Sequence, residues 1–214
     1  MGIIERKLRD KKRRTEEIIN AARRIFMRKG YTDATMLDIA EESELSRRTL
    51  YLYFKSKEEI SFELMYEAFT ALYQRLLDSY AGDGTALDKL NRFKHAYLAF
   101  YNEDFDNFYF TVYFNVKLNL KNMQEGDAEQ CFEVIQQIIT LLTRIIEEGI
   151  REGIFRFLPD ARRSAFVLAE MIQASMQQIA TRRDVFRLSS DYSEGDVLAE
   201  LFDLAVHSII AHTK

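Results

Sequence analysis

Between Thr35 and Ile60 the chain reads TMLDIAEESELSRRTLYLYFKSKEEI, and several of its side chains carry recognisable chemistry at helical spacing. Arg47 and Arg48 are adjacent guanidinium forks, the group that pairs with two acceptors at once, such as guanine O6 and N7. Thr49 can touch a base edge or a thymine methyl. Tyr51 and Tyr53 present phenols that suit phosphate oxygens. Ser46 and Thr35 are side chains of the kind that cap a helix start, and Thr35 and Lys57 stand where backbone N–H groups and the helix dipole favour an anion. Together these types describe a surface for a nucleic acid: arginines and a threonine to read, and Thr35, Ser46, Tyr51, Tyr53 and Lys57 to hold the backbone.

Three short helices must position them. Apolar residues Ile18, Ala22, Ile25 and Phe26 mark one face of a first helix, about 9–29, with Gly30 as its left-handed cap. Residues 1–14 are polar and basic and read as a frayed start. Thr35 caps a second helix, 36–43, whose Ile39 and Ala40 point inward. Leu45 fills the turn, and a third helix, 47–54, buries Leu50 and Phe54, which turns Arg47, Arg48, Thr49, Tyr51 and Tyr53 outward. Ser56 and Glu59 form a capping box for a fourth helix, 57–80.

Charge agrees with that division. Residues 1–57 carry 15 Lys or Arg against 9 Asp or Glu, a net +6, whereas residues 58–214 carry 15 against 25, a net −10. A basic head on an acidic body places any polyanion at the head. One proline and eight glycines in 214 residues, with no alternating β-branched runs, predict an all-α chain. No apolar run is long enough for a membrane span, and Cys131 is the chain's one cysteine, so a cytoplasmic protein without internal disulfides is expected. His95, His207 and His212 are scattered, and no HExxH, nucleophile elbow, P-loop or GxGxxG occurs. No catalytic residue, metal ligand or cofactor is expected.

Beyond Gly84 the helices lengthen. Phe93–Phe114 holds ten Phe or Tyr in 22 residues, the raw material for an apolar small-molecule cavity. Its candidate lining residues are Phe93, Tyr97, Phe100, Tyr101, Phe108, Tyr109 and Tyr113. A long helix at 127–151 closes at Gly149 and Gly153, another starts at Pro159 and runs to Arg182, and a last one, 195–212, is apolar on more than one face. Such a terminal helix asks for a covering layer, and a second copy of the chain supplies one.

Residues 15–60, most strongly Ser46–Ile60, resemble the TetR family of bacterial transcriptional regulators, with Ala21-Ala22, Phe26, Gly30-Tyr31, Thr35 and Ile39-Ala40 in matching order. Glu148-Gly149 through Gly153-Ile-Phe-Arg156 is similar to the end of that family's seventh helix. The resemblance implies a three-helix helix-turn-helix domain at 1–56 and a helical ligand-binding and dimerisation domain at 57–214, about nine helices in all. It implies a homodimeric repressor, joined through the last two helices, that binds a palindromic double-stranded DNA operator and is released from it by a small hydrophobic effector. A helical dimeric adaptor without specific DNA binding is the competing expectation. Two residues depart from the family pattern: Glu44 stands where a turn glycine is usual, and Arg48 where a small residue is common.

Overall fold

A computed structural model describes residues 2–117, 129–182, 188 and 191–211, with the side chains at 3, 4, 113–117 and 181 outside that description. Among the described residues the chain forms nine helices: α1 (Ile3–Asp33), α2 (Met36–Glu42), α3 (Arg47–Leu50), α4 (Lys57–Tyr80), α5 (Ala86–Glu103), α6 (Phe105–Lys117), α7 (Glu129–Arg151), α8 (Ala161–Thr181) and α9 (Glu194–His207). The expected all-α architecture is present.

Helix starts follow hydroxyl and carboxylate caps. Thr35 and Thr85 each accept from an N–H three residues on, at Asp38 and Asp88, whose carboxylates return the bond. Ser56 accepts from Glu59 N–H as expected, but the Glu59 carboxylate reaches past it to Lys55 N–H, at 2.5 Å. Asp160 caps α8, so Pro159 lies just outside the helix rather than in its first turn. Ser193 caps α9.

Four other expectations change. Helix α1 begins at Ile3 and not at 9, with Gly2 N–H bonded to the Glu5 carboxylate. Gly30 has φ 76 and ψ 159, so it kinks the chain instead of capping in the left-handed well. Helix α3 spans only four residues. From Tyr51 to Tyr53 the chain winds tighter, with Leu52 N–H on Thr49 O (3.1 Å) and Tyr53 N–H on Leu50 O (2.9 Å). Helix α9 ends at His207, because Ile209 and Ala211 turn away to pair with the α7–α8 connection: Arg156 N–H donates to Ile209 O and Ala211 N–H to Ile154 O, both 2.8 Å. Asp127 and His212, assigned to helices from the sequence, lie outside the described residues.

Helix α4 is the hub, packing against α1, α5, α6 and α7. Its buried row of Ile60, Leu64, Ala68, Leu72 and Leu76 joins the head's core to that of the body, so one apolar core runs from Ile18 to Ile209. Gly149 lets Phe155 fold back onto α7, since a Cβ there would lie 2.0 Å from the ring. Gly153 (φ 73) makes the left-handed turn that allows it. No described helix is long and apolar enough to cross a membrane.

Candidate nucleic-acid interface and cavity

The head is assembled on a core of Ile18, Ala22, Ile25, Phe26, Ile39, Ala40, Leu50 and Phe54, each no more than 4% exposed. Ion pairs lock α1 to α2: Arg24 to Glu42 at 2.7 Å, Arg28 to Glu42 at 3.1 Å, Lys29 to Asp38 at 2.5 Å. The Lys29 ammonium, then the Thr35 hydroxyl and N–H, hold the Asp38 carboxyl down to about 2. Arg24 and then Arg28 lower that of Glu42. Between α2 and α3, Glu44 sits at φ 54, in the left-handed region, and Leu45 N–H closes the turn on Ala40 O at 2.8 Å. The turn therefore keeps the backbone path a glycine would take, at a strain of roughly 1 kcal/mol for the side chain.

This frame turns one face outward. Arg47 and Arg48 are exposed, and the Arg47 guanidinium lies 5.6 Å from the Tyr51 ring centroid, which pre-positions it. Arg48 has no hydrogen-bond or ion-pair partner among the described residues. Ser46 accepts from Thr49 N–H and its hydroxyl meets that of Thr49 at 2.8 Å, so each is held by the other, with Thr49 half-exposed. Tyr51 is exposed, whereas Tyr53 is half-buried against the core. Leu52 was not singled out in the sequence, yet it is 77% exposed beside Tyr51, an apolar group suited to a thymine methyl. Its spacing from Arg48 and Thr49, four and three residues, places it on their face.

Lys57 is where the structure revises the sequence reading. Its ammonium donates to Tyr31 O (2.8 Å), Thr32 O (3.2 Å) and Ala34 O (2.8 Å), and lies 4.5 Å from the Tyr31 ring centroid. The side chain therefore ties the end of α1 to the start of α4, and what it leaves for an anion is the backbone N–H. Tyr31 completes the joint, its phenol donating to Glu58 at 2.9 Å, and burial pushes that phenol well above its usual range. Lys57→Ala is expected to lower head stability by about 1.5–3 kcal/mol, because three carbonyls lose a charged donor. A melting curve monitored by circular dichroism checks it; an unchanged midpoint would refute the structural role.

In the body, a cavity of about 560 Å³ opens between α4 (Phe69, Leu72), α5 (Phe93, Tyr97), α7 (Ile135 to Leu142) and α8 (Ala169 to Gln177). Of the sequence candidates, Phe93 and Tyr97 line it. Phe100 and Phe108 are fully buried in the core and stack edge to face at 6.4 Å, and Tyr109 is half-buried against Phe105 and Phe110. Tyr101 faces a different recess, where its hydroxyl meets the buried Glu194 carboxylate at the start of α9. The side chain of Tyr113 is outside the described residues. The sequence reading missed the walls from α4, α7 and α8, including half-exposed Phe132 and Phe166. The cavity's polar anchor is Gln173: it accepts from the Tyr97 hydroxyl (3.0 Å) and donates to Thr111 O of α6 (2.6 Å). Cys131 is buried, and burial pushes its thiol up to about 12.

Cavity and head are mechanically adjacent. Arg23 of α1 donates to Asn107 of α6 at 2.6 Å and to Glu67 of α4 at 2.7 Å, and lies 5.2 Å from the Phe110 ring centroid. Helix α6 thus touches the cavity anchor through Thr111 and the head through Asn107.

A turn-linked helix pair with an exposed arginine face, set on an all-helical body that encloses a cavity, defines a helix-turn-helix protein of the two-part kind. Residues 18–64 match the model of the "Bacterial regulatory proteins, tetR family". Over 50 residues the chain is 50% identical to an uncharacterized HTH-type transcriptional regulator, YfiR, of Bacillus subtilis, covering 23% of this chain and 24% of that one; the match spans about a quarter of that relative. It is 24% identical over 146 residues to the B. subtilis fatty acid metabolism regulator protein, 68% of this chain and 73% of the relative. Its fold matches the crystal structure of B. subtilis FadR in complex with stearoyl-CoA, with a TM-score of 0.68 at 21% identity, over 91% of this chain and 98% of that one. The head of the chain thus matches the family's model over residues 18–64, and the described chain shares the fold of the FadR structure.

Proposed function

We propose that the chain is a DNA-binding transcriptional regulator whose grip on DNA is released by a small amphiphile with a long apolar chain. The observation that carries it is the exposed α3 face in a segment matching the family's head, on a body with an apolar cavity. In this reading residues 1–56 read DNA: Arg47, Arg48, Thr49 and Leu52 face the bases, and Thr35, Ser46, Tyr51, Tyr53 and the Lys57 N–H meet phosphates. Residues 57–214 hold the effector and the dimer contact. It is a cytoplasmic regulator and not an enzyme.

Two copies are needed, because one such helix reads few base pairs; dimers read half-sites roughly 34–36 Å apart. Helices α8 and α9 leave Val167, Met171 and Leu204 about half-exposed, an apolar surface suited to a four-helix interface around a two-fold axis. The effector class is supported by the apolar walls of the cavity and by the chain's similarity to a fatty acid metabolism regulator and to FadR, which binds stearoyl-CoA. An occupant that takes Gln173 away from Thr111 frees α6, and α6 bears on α1 through Asn107 and Arg23, so the reading heads shift.

The test has two stages. Selection from random duplexes should enrich a palindrome, and its absence would sink the DNA reading. Titrating stearoyl-CoA into the resulting complex should weaken it at least tenfold, and unchanged affinity at saturation would sink the effector class.

A further inference from the structure

Residues 5–13, the part of α1 that projects beyond the head's core, are exposed on every side. Within 6–14 the sequence places Arg6, Lys7, Arg9, Lys11, Lys12, Arg13 and Arg14 against a single acid, Asp10. The family match begins only at residue 18, so this segment is not part of the matched head. Its three C-terminal cations are paired: Lys12 with Glu16 at 4.0 Å, Arg13 with Glu17 at 3.1 Å and Arg14 with Glu17 at 2.7 Å. Arg6, Lys7, Arg9 and Lys11 have no such partner among the described residues.

That arrangement works against the helix that carries it. Cations in the first turns oppose the positive end of the macrodipole. Arg6 and Arg9, Lys7 and Lys11, and Arg9 and Arg13 are like charges three or four apart, each pair mildly destabilising. The segment has no apolar stripe packed on anything; Leu8 is 62% exposed. A local conflict of this kind is expected where an outside partner resolves it, and the charge calls for a polyanion. A membrane surface would need an apolar face opposite the cations, but here the cations fall on all sides.

We propose that the N-terminal extension of α1 is a second DNA-binding element, in which Arg6, Lys7, Arg9 and Lys11 contact phosphates flanking the site read by α3. It rests on the reading of the head as DNA-binding. The extension carries no base readers, so it adds affinity and salt dependence without changing which sequence is preferred.

The experiment uses the full chain and a duplex recovered by selection, with and without ten flanking base pairs on each side. Binding is followed by fluorescence anisotropy across a salt series for wild type, for Arg48→Ala, and for the combined Arg6→Gln, Lys7→Gln, Arg9→Gln and Lys11→Gln variant. Glutamine keeps the helix propensity and removes repulsion, and circular dichroism confirms folding. The combined variant is expected to lose tenfold or more in affinity on the long duplex. Its log K against log salt slope should be shallower by about 2–4 per bound chain, at about 0.9 per phosphate, and it should no longer distinguish long from short duplex. Equal slopes and affinities for wild type and the combined variant would overturn the proposal while leaving the head reading intact. So would wild-type binding to anionic phosphatidylserine vesicles that outcompetes the duplex. Failure of wild type to bind any duplex in a salt-dependent way would overturn both.

Discussion

Arg48→Ala is expected to flatten sequence preference while leaving general affinity for DNA nearly intact. The guanidinium is exposed at the second position of α3 and engages nothing in the described protein, so its removal disturbs no packing. A bidentate arginine–guanine pair is worth about 1–3 kcal/mol of discrimination, which corresponds to roughly 5- to 150-fold between selected and scrambled duplexes. Anisotropy titrations with both duplexes measure the ratio. A ratio that stays at the wild-type value would mean that Arg48 is only a solvated charge and that reading falls to Arg47, Thr49 and Leu52. The comparison with Lys57→Ala is informative. That change should weaken binding to both duplexes alike, and through head stability, because the ammonium is spent on Tyr31, Thr32 and Ala34 carbonyls.

Gly149→Ala should be among the most damaging single changes in the body. The added Cβ would stand 2.0 Å from Cδ2 of Phe155. The ring has little room to retreat: Phe155 is 2% exposed, and the backbone around it is bonded to Ile209 and Ala211. Overpacking of a fixed site typically costs about 1–3 kcal/mol, a fall in Tm of roughly 2–12 °C for a chain of this length. Thermal melts of Gly149→Ala, Phe155→Leu and the double variant check the mechanism. If the ring is the obstacle, the double variant should be more stable than the sum of the single effects predicts. Strict additivity would place the cause elsewhere.

The pattern of what was readable in advance has a physical basis. Core positions such as Leu50 and Phe54 are dictated by local periodicity, and cap residues such as Thr35 and Ser46 by the chemistry of a helix start, so both were legible. Glu44 was legible as a place of strain only through the family resemblance, which puts a turn glycine at that position. Of the cavity only Phe93 and Tyr97 were legible, because its other walls come from helices distant in sequence. A dense aromatic run such as Phe100 to Phe110 signals burial, and whether a ring meets another ring or an open space is decided only by packing. Lys57 shows the same limit: its place at a helix start suggested a phosphate, but three carbonyls at the end of α1 lay within reach of its ammonium. The α1 extension was hidden for a different reason, since a run of cations reads as disordered until the helix beneath them is seen.

Helix α4 also sets a length scale. Its 24 residues rise to about 36 Å, and its head end is bolted by Lys57 and Tyr31 to the element next to the reading helix. Phe69 and Leu72 lie about 18–22 Å from its head end, so a tilt of about 10° pivoting at the cavity would sweep the head by about 3–4 Å, close to the 3.4 Å between successive base pairs. Side chains in the core can absorb such a tilt by small rotamer adjustments, whereas two reading helices on a rigid duplex have no intermediate positions between one base step and the next. In the proposed dimer, the body would stay nearly unchanged while its two heads fell out of step with the DNA.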